Sequence, residues 1–122
     1  MDINIRVGTV TIAAELNDSL TAQMIFQALP IKASFSTWGD EIYFPIPIQS
    51  ELDASARDVV ELGDLGYWPP GKAFCIFYGP TPMSTAGEIR PASAVNIIGK
   101  VKGDPTRFKH VIGEREVVLE AV

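Results

Sequence analysis

Apolar and polar residues alternate with a period of two along most of this chain. Ile3, Ile5 and Val7 alternate with polar neighbours, and Val10, Ile12 and Ala14 repeat the pattern after Gly8. A glycine between two alternating runs predicts an opening β-hairpin. Ile31, Ala33 and Phe35 form a third run, and Trp38-Gly39-Asp40-Glu41 reads as a turn. Ile42, Phe44, Ile46 and Ile48 continue the alternation, interrupted by Pro45 and Pro47. Proline cannot donate to a ladder, so this segment belongs at an edge, a bulge or a barrel rim. Val59, Val60 and Leu62 predict a short strand. Ala73 to Tyr78 is unbroken apolar sequence between glycines, as expected of a deeply buried strand. Val95 to Val101 and Val117 to Leu119 complete the set.

Two segments depart from the period. Leu20, Met24, Ile25, Ala28 and Leu29 share one helical face, Asp18 or Ser19 can cap the start, and Pro30 stops the helix. This predicts a helix over about 18–29. A second, shorter helix is predicted over about 104–112: Asp104 caps it, Pro105 takes its first position, and Gly113 closes it. Gln49 to Arg57 is polar and reads as a surface loop. Many short strands, frequent Gly and Pro turns and two helices predict a mainly β fold, a sandwich or a barrel, in which the longer helix is placed to plug one open end of a barrel.

The 122 residues suffice for a single domain, 1–122, with one continuous core. The net charge of −5 argues against nucleic acid, which demands clustered Lys and Arg, and against an anionic membrane surface. No apolar stretch is long enough to span a bilayer, and the opening Met1-Asp2-Ile3-Asn4-Ile5-Arg6 lacks a signal-peptide layout. A lone cysteine, Cys75, cannot form an internal disulfide, so a reducing cytoplasm is expected.

The order of elements resembles the cyclophilins. Thr21-Ala22-Gln23-Met24-Ile25-Phe26-Gln27-Ala28-Leu29 is similar to their first helix, Thr-Ala-x-Asn-Phe-x-x-Leu. Ile97-Ile98-Gly99-Lys100-Val101 looks like their Val-Phe-Gly-Lys-Val strand. The segment Gly63-Asp64-Leu65-Gly66-Tyr67-Trp68-Pro69-Pro70-Gly71, with Phe74 to Pro82, is similar to small microbial cyclophilin-like proteins of unknown function. The resemblance implies a closed cyclophilin-like barrel of about eight strands with a ligand groove on its outer face, bordered by the segments after Trp38 and Phe77. It also implies where isomerase residues should fall. The catalytic Arg belongs in the strand after the first helix, yet Lys32 to Ala56 contains none. The His and Trp belong before the Gly-Lys-Val strand, where Ser93, Ala94, Val95 and Asn96 stand. A Gln-x-Phe segment has no counterpart. Prolyl isomerase activity is therefore not expected.

Other chemistries find little support. His110 has no Cys or His at ligand spacing, and a solvated helix-end role suits it better. Asp40/Glu41 and Asp53/Asp58 lack a Ca²⁺-loop pattern and read as solvated loop charge. Cys75 in the most apolar strand reads as core packing. Ser84 and Thr85 have no His partner by motif. Gly63-x-x-Gly66 lacks the Lys of a phosphate loop and reads as a turn. No metal or cofactor is expected.

The remaining candidate is a set of rings and polar groups: Tyr43, Tyr67, Trp68, Tyr78, Thr81, Met83, Ser84, Glu88 and Arg90. Tyr and Trp join an apolar body to a hydrogen-bonding tip, a mixture that small-molecule pockets use. A binding role requires Tyr43, Trp68 and Tyr78 in one cleft with accessible tips. Arg90 would grip a ligand carboxylate bidentately, and Glu88 would order Arg90 or act as a base. Three function classes stay open. One is a module binding a small molecule or short peptide. Another is an enzyme: the resemblance extends to subunits of the oxoprolinase and allophanate-hydrolase group, implying amide chemistry on a small metabolite, and a weak or divergent isomerase belongs to the same class. The third is a structural protein without a ligand.

Overall fold

The computed structural model describes all 122 residues. Its first hairpin joins β1 (Asp2–Val7) to β2 (Val10–Leu16), with Ile3 opposite Ala14 and Ile5 opposite Ile12. Gly8, at φ +59°, makes the two-residue turn, a left-handed conformation that favours glycine. Helix α1 (Leu20–Gln27) follows, then β3 (Ile31–Ser34), β4 (Ser36–Thr37) and β5 (Glu41–Pro45). After a long loop come β6 (Asp64–Trp68), a 3₁₀ turn (Pro69–Gly71) and β7 (Ala73–Phe77). A second long loop leads to β8 (Asn96–Val101), a 3₁₀ helix (Pro105–His110) and β9 (Glu116–Ala121).

All nine strands form one sheet in the order β3-β9-β1-β2-β8-β6-β7-β5-β4. Its two edges, β3 and β4, are adjacent in sequence and separated only by Phe35, whose N–H donates to the Arg115 carbonyl at 3.0 Å. One bent stretch of chain therefore supplies both edges, and the sheet curls into a nearly closed barrel. Barrel closure removes the exposed edges that invite aggregation.

Ile3, Ile5, Ile12, Leu16, Ile42, Phe44, Leu65, Phe74, Ile76 and Leu119 fill the barrel interior. Phe44 and Phe74 stack there with ring centroids 5.2 Å apart. A second, outer cluster of Val60, Ala73, Cys75, Phe77 and Val95 lies on the opposite face of β7 and β6. Strand β7 is thus buried on both faces, which explains its unbroken apolar run.

The structure departs from the sequence expectations in five places. Val59–Leu62 is not a strand: Val60 makes one bridge to Ile89 while the loop crosses the outer face. Gly63–Gly66 is not merely a turn, because Gly66 lies inside β6. A Cβ there would sit 2.9 Å from Val95 Cγ2 and 3.2 Å from Phe77 Cε2, so the glycine lets the covering loop pack against the sheet. Helix α1 is shorter than expected; Met24, Ile25, Ala28 and Leu29 face the core as expected, but its start does not. Ser19 caps it by accepting from the Ala22 N–H at 3.2 Å, and Leu20 is 72% exposed. Thr21 is buried instead, its hydroxyl satisfied by Ser50 at 2.8 Å. The helix packs on β2 and β8. The 104–112 segment is 3₁₀, with Asp104 accepting from the Thr106 N–H at 2.9 Å. It ends at Val111 and not through Gly113, because Val111 donates back to Phe108 and Gly113 has no positive φ.

Candidate functional site

Side chains alternate across a strand, so Glu41 and Tyr43 leave β5 on the same face. Ile42 and Phe44 point inward, and Glu41 and Tyr43 point outward. Across the ladder, Tyr43 pairs with Cys75 and Glu41 with Phe77. The outer face of β5 thus continues the outer cluster on β7. At its margin, Trp38, Glu41, Tyr43, Trp68 and Ala92 enclose a cleft of about 270 Å³.

Each wall is set by local structure. Trp38 stands in the β4–β5 turn, where its N–H donates to the Glu41 carbonyl at 2.9 Å and Gly39 adopts φ +59°. Trp68 ends β6, and its indole Nε1 donates to the Ser93 hydroxyl at 2.7 Å. Its ring lies against Gly71, where a Cβ would come within 2.9 Å of Cε3 and Cζ3. Ala92 comes from the loop after β7.

Glu41 is the cleft's one charged group and is 5% exposed. No Lys, Arg or His lies within ion-pair distance of it. Burial pushes its carboxyl up to about 7, opposed only by the neighbouring Cys75 thiol. Cys75 is itself buried and pushed well above its usual value, first by desolvation and then by the Glu41 charge. A thiol so protonated and enclosed is not a nucleophile.

The candidate residues from the sequence fall into three groups. Tyr43 and Trp68 line the cleft, both half-buried. Tyr78 does not join them: it is 1% exposed and belongs to the barrel core, 6.1 Å from Phe108. Burial, with the charges of Asp40 and Glu41, pushes its phenol up to about 12. Tyr67 is also internal, donating to the Ile48 carbonyl at 2.7 Å. Thr81, Ser84, Glu88 and Arg90 organise the loop after β7. The Ser84 hydroxyl accepts from the Thr81 and Arg90 N–H groups at 2.9 and 3.0 Å, and the Thr81 hydroxyl donates to the Arg90 carbonyl. Arg90 is engaged by Glu88 at 2.8 Å and faces Asp58 at 3.9 Å, so its guanidinium already holds two carboxylates of the chain itself. Met83 is 50% exposed on the loop surface.

Glu41, Trp38 and Ala92 were not among the candidates. Glu41 and Trp38 read as turn residues because the turn was drawn one residue too long. The signal was the two-residue spacing of Glu41 and Tyr43, which places a carboxylate beside a ring on one strand face. A larger hollow of about 800 Å³ lies over β1, β3 and β9, lined by Arg6, Lys32, Arg115 and several glutamates. Two ion pairs cross it, Arg6–Glu120 at 3.1 Å and Lys32–Glu116 at 3.4 Å. No group of three His, Cys, Asp or Glu residues is arranged to hold a metal ion, and no helix is long and apolar enough to cross a membrane.

A nearly closed antiparallel barrel, one capped helix and an outer-face cleft define a cyclophilin-like domain. The cyclophilin-like family model matches residues 1–120, and the chain belongs to that family. It is similar to the hypothetical protein AF2241 from Archaeoglobus fulgidus, with 42% identity and a TM-score of 0.82, over 100% of this chain and 95% of that one. A more distant likeness is to McbB, solved in complex with tryptophan, at 16% identity and a TM-score of 0.71. It covers 98% of this chain and 46% of McbB, and it shows a shared fold. No curated protein matches the sequence.

Proposed function

We propose that this protein is a binding module that holds a small molecule, or the end of a short peptide, in the outer-face cleft, without prolyl isomerase activity. The observation that carries the reading is the composition of the cleft. Both tryptophans of the chain and a tyrosine surround it, with a single carboxylate. Ring-lined hollows with one or two polar groups are the usual form of small-molecule sites. Its volume of about 270 Å³ suits a ligand smaller than a drug-sized molecule. McbB, of the same fold, is known in complex with tryptophan, which supports a small aromatic ligand. The lack of an Arg between Lys32 and Ala56 argues against the isomerase reaction.

A thermal-shift screen against metabolites tests the reading. A ligand at about 100 times its Kd adds about 2.7 kcal/mol of stability. A true ligand also changes the fluorescence of Trp38 and Trp68. Stabilising ligands that leave both tryptophans unaffected would overturn the cleft assignment. Acceleration of prolyl cis–trans exchange in a peptide, lost on mutating the cleft, would overturn the second half.

The carboxyl of Glu41, held near neutrality, favours one alternative: an enzyme acting on a small amide metabolite, with Glu41 as its acid–base group. Turnover of such an amide, abolished in Glu41→Gln with binding retained, would establish it in place of the binding module.

A further inference from the structure

The cleft combines two features with a common chemical complement. Three electron-rich rings, Trp38, Tyr43 and Trp68, border it, and the one charged side chain among them is an anion. The faces of Trp and Tyr attract cations, Trp most strongly. A carboxylate removed from water gains from a cation brought to it and loses from an anion. Glu41 has no basic partner anywhere in the chain, although eight ion pairs occur elsewhere. The contrast with Arg90 is direct, since that side chain is matched by Glu88 and Asp58. The cleft therefore presents negative charge and ring faces together, with nothing positive to balance them.

We propose that the ligand of this cleft is an organic cation, a small primary or methylated amine with an apolar body, whose ammonium meets Glu41 while its body lies between Trp38 and Trp68. This rests on the cleft being a binding site and names the class of molecule it takes. Glu41 supplies the counter-charge, and Tyr43, two residues along the same strand face, offers a second ring beside it. Trp68 is held in place for this contact by Ser93 and by the absence of a side chain at Gly71. An anionic ligand of the same size would set a second negative charge beside a carboxylate that has no neutralising neighbour. The sequence expectation of a carboxylate ligand gripped by Arg90 is thereby replaced by the opposite charge at a different residue.

Matched probes test the inference: phenethylamine and benzyltrimethylammonium, a neutral phenyl compound of the same length, and 3-phenylpropionate. Each is titrated into the wild-type protein and Glu41→Gln, with tryptophan fluorescence and calorimetry as readouts. The expected result is that the cations bind about tenfold or more tightly than the neutral compound, that the anion binds most weakly, and that Glu41→Gln removes the preference. Equal binding of the neutral compound, or a cation preference that survives in Glu41→Gln, would overturn the cation inference and leave the cleft reading standing. If probes of all three charge types fail to bind, both readings fall. Circular dichroism and thermal unfolding of Glu41→Gln confirm that it is folded, and Trp68→Phe, which keeps a ring at the position, should weaken cation binding without changing the order of the probes.

Discussion

Glu41 on β5 lies diagonally across the ladder from Cys75 on β7, with the carboxyl and thiol both buried on the outer face of the barrel. The neighbours of Glu41 include Asp40 and Tyr43 on its own segment, Cys75 and Tyr78 on the adjoining one, and Trp38 and Trp68 around the cleft. None is a cation. The consequence is a cost to the folded state. The carboxyl titrates at about 7 when folded, against 4.5 for the unreacted group. A raised folded value means a contribution to stability that is fully present below about pH 4.5 and is lost as pH rises through 7. At roughly 1.4 kcal/mol per pK unit the loss is about 3–4 kcal/mol. Glu41→Gln should therefore stabilise the protein by about 2–4 kcal/mol at pH 8 and by little below pH 4.5. Urea unfolding at the two pH values measures this, and equal effects at both would show that Glu41 is not buried as an isolated carboxyl.

The same titration should govern the ligand. A cation meets an ionised Glu41 above pH 7 and a neutral one below it. Affinity for phenethylamine should rise by about tenfold between roughly pH 6 and pH 8, and binding near neutrality should release a proton. Calorimetry in buffers of different ionisation enthalpy detects that proton. No release would mean that the ammonium lies away from Glu41.

Ser93→Ala removes the acceptor that fixes the Trp68 indole. Both groups reach solvent, so stability should change by less than about 0.5 kcal/mol. Ligand affinity should fall by about three- to tenfold, the effect of losing one ordering hydrogen bond. Paired unfolding and titration measurements separate the two effects.

Gly66→Ala tests the outer layer independently of the cleft. The added methyl would stand 2.9 Å from Val95 Cγ2, forcing the covering loop outward. Overpacking of this kind costs about 1–3 kcal/mol. Chemical denaturation should report that loss, and an unchanged midpoint would mean that the loop does not pack as described.

Much of the barrel was legible because period-two alternation survives wherever one face is buried. β1, β2, β8 and β9 were readable on those grounds. β6 was not, because Gly66 and the glycine before the strand look like turn punctuation when the packing loop is unseen. Met24 and Ile25 of α1, with Ala28 and Leu29 just after it, pack on the core as their spacing indicates, but Leu20 does not, because Thr21 takes the buried place at the helix start through a hydroxyl partner, Ser50, 29 residues away. Tyr43 and Trp68 were recognisable as site residues by type. Tyr78 is of the same type, and only barrel geometry sends it inward. Glu41 read as solvated loop charge because a charged residue at a turn is ordinarily solvated, whereas it is 5% exposed. Its importance arises from Trp38, Trp68 and Ala92 closing around it, contacts between distant parts of the chain.

The most direct test follows the indole N–H resonances of the two tryptophans by NMR during titration with phenethylamine. Because Trp38 and Trp68 both line the cleft, both signals should shift together and saturate at one Kd, and the shifts should vanish in Glu41→Gln. Saturable binding that leaves both indole signals in place would contradict the account.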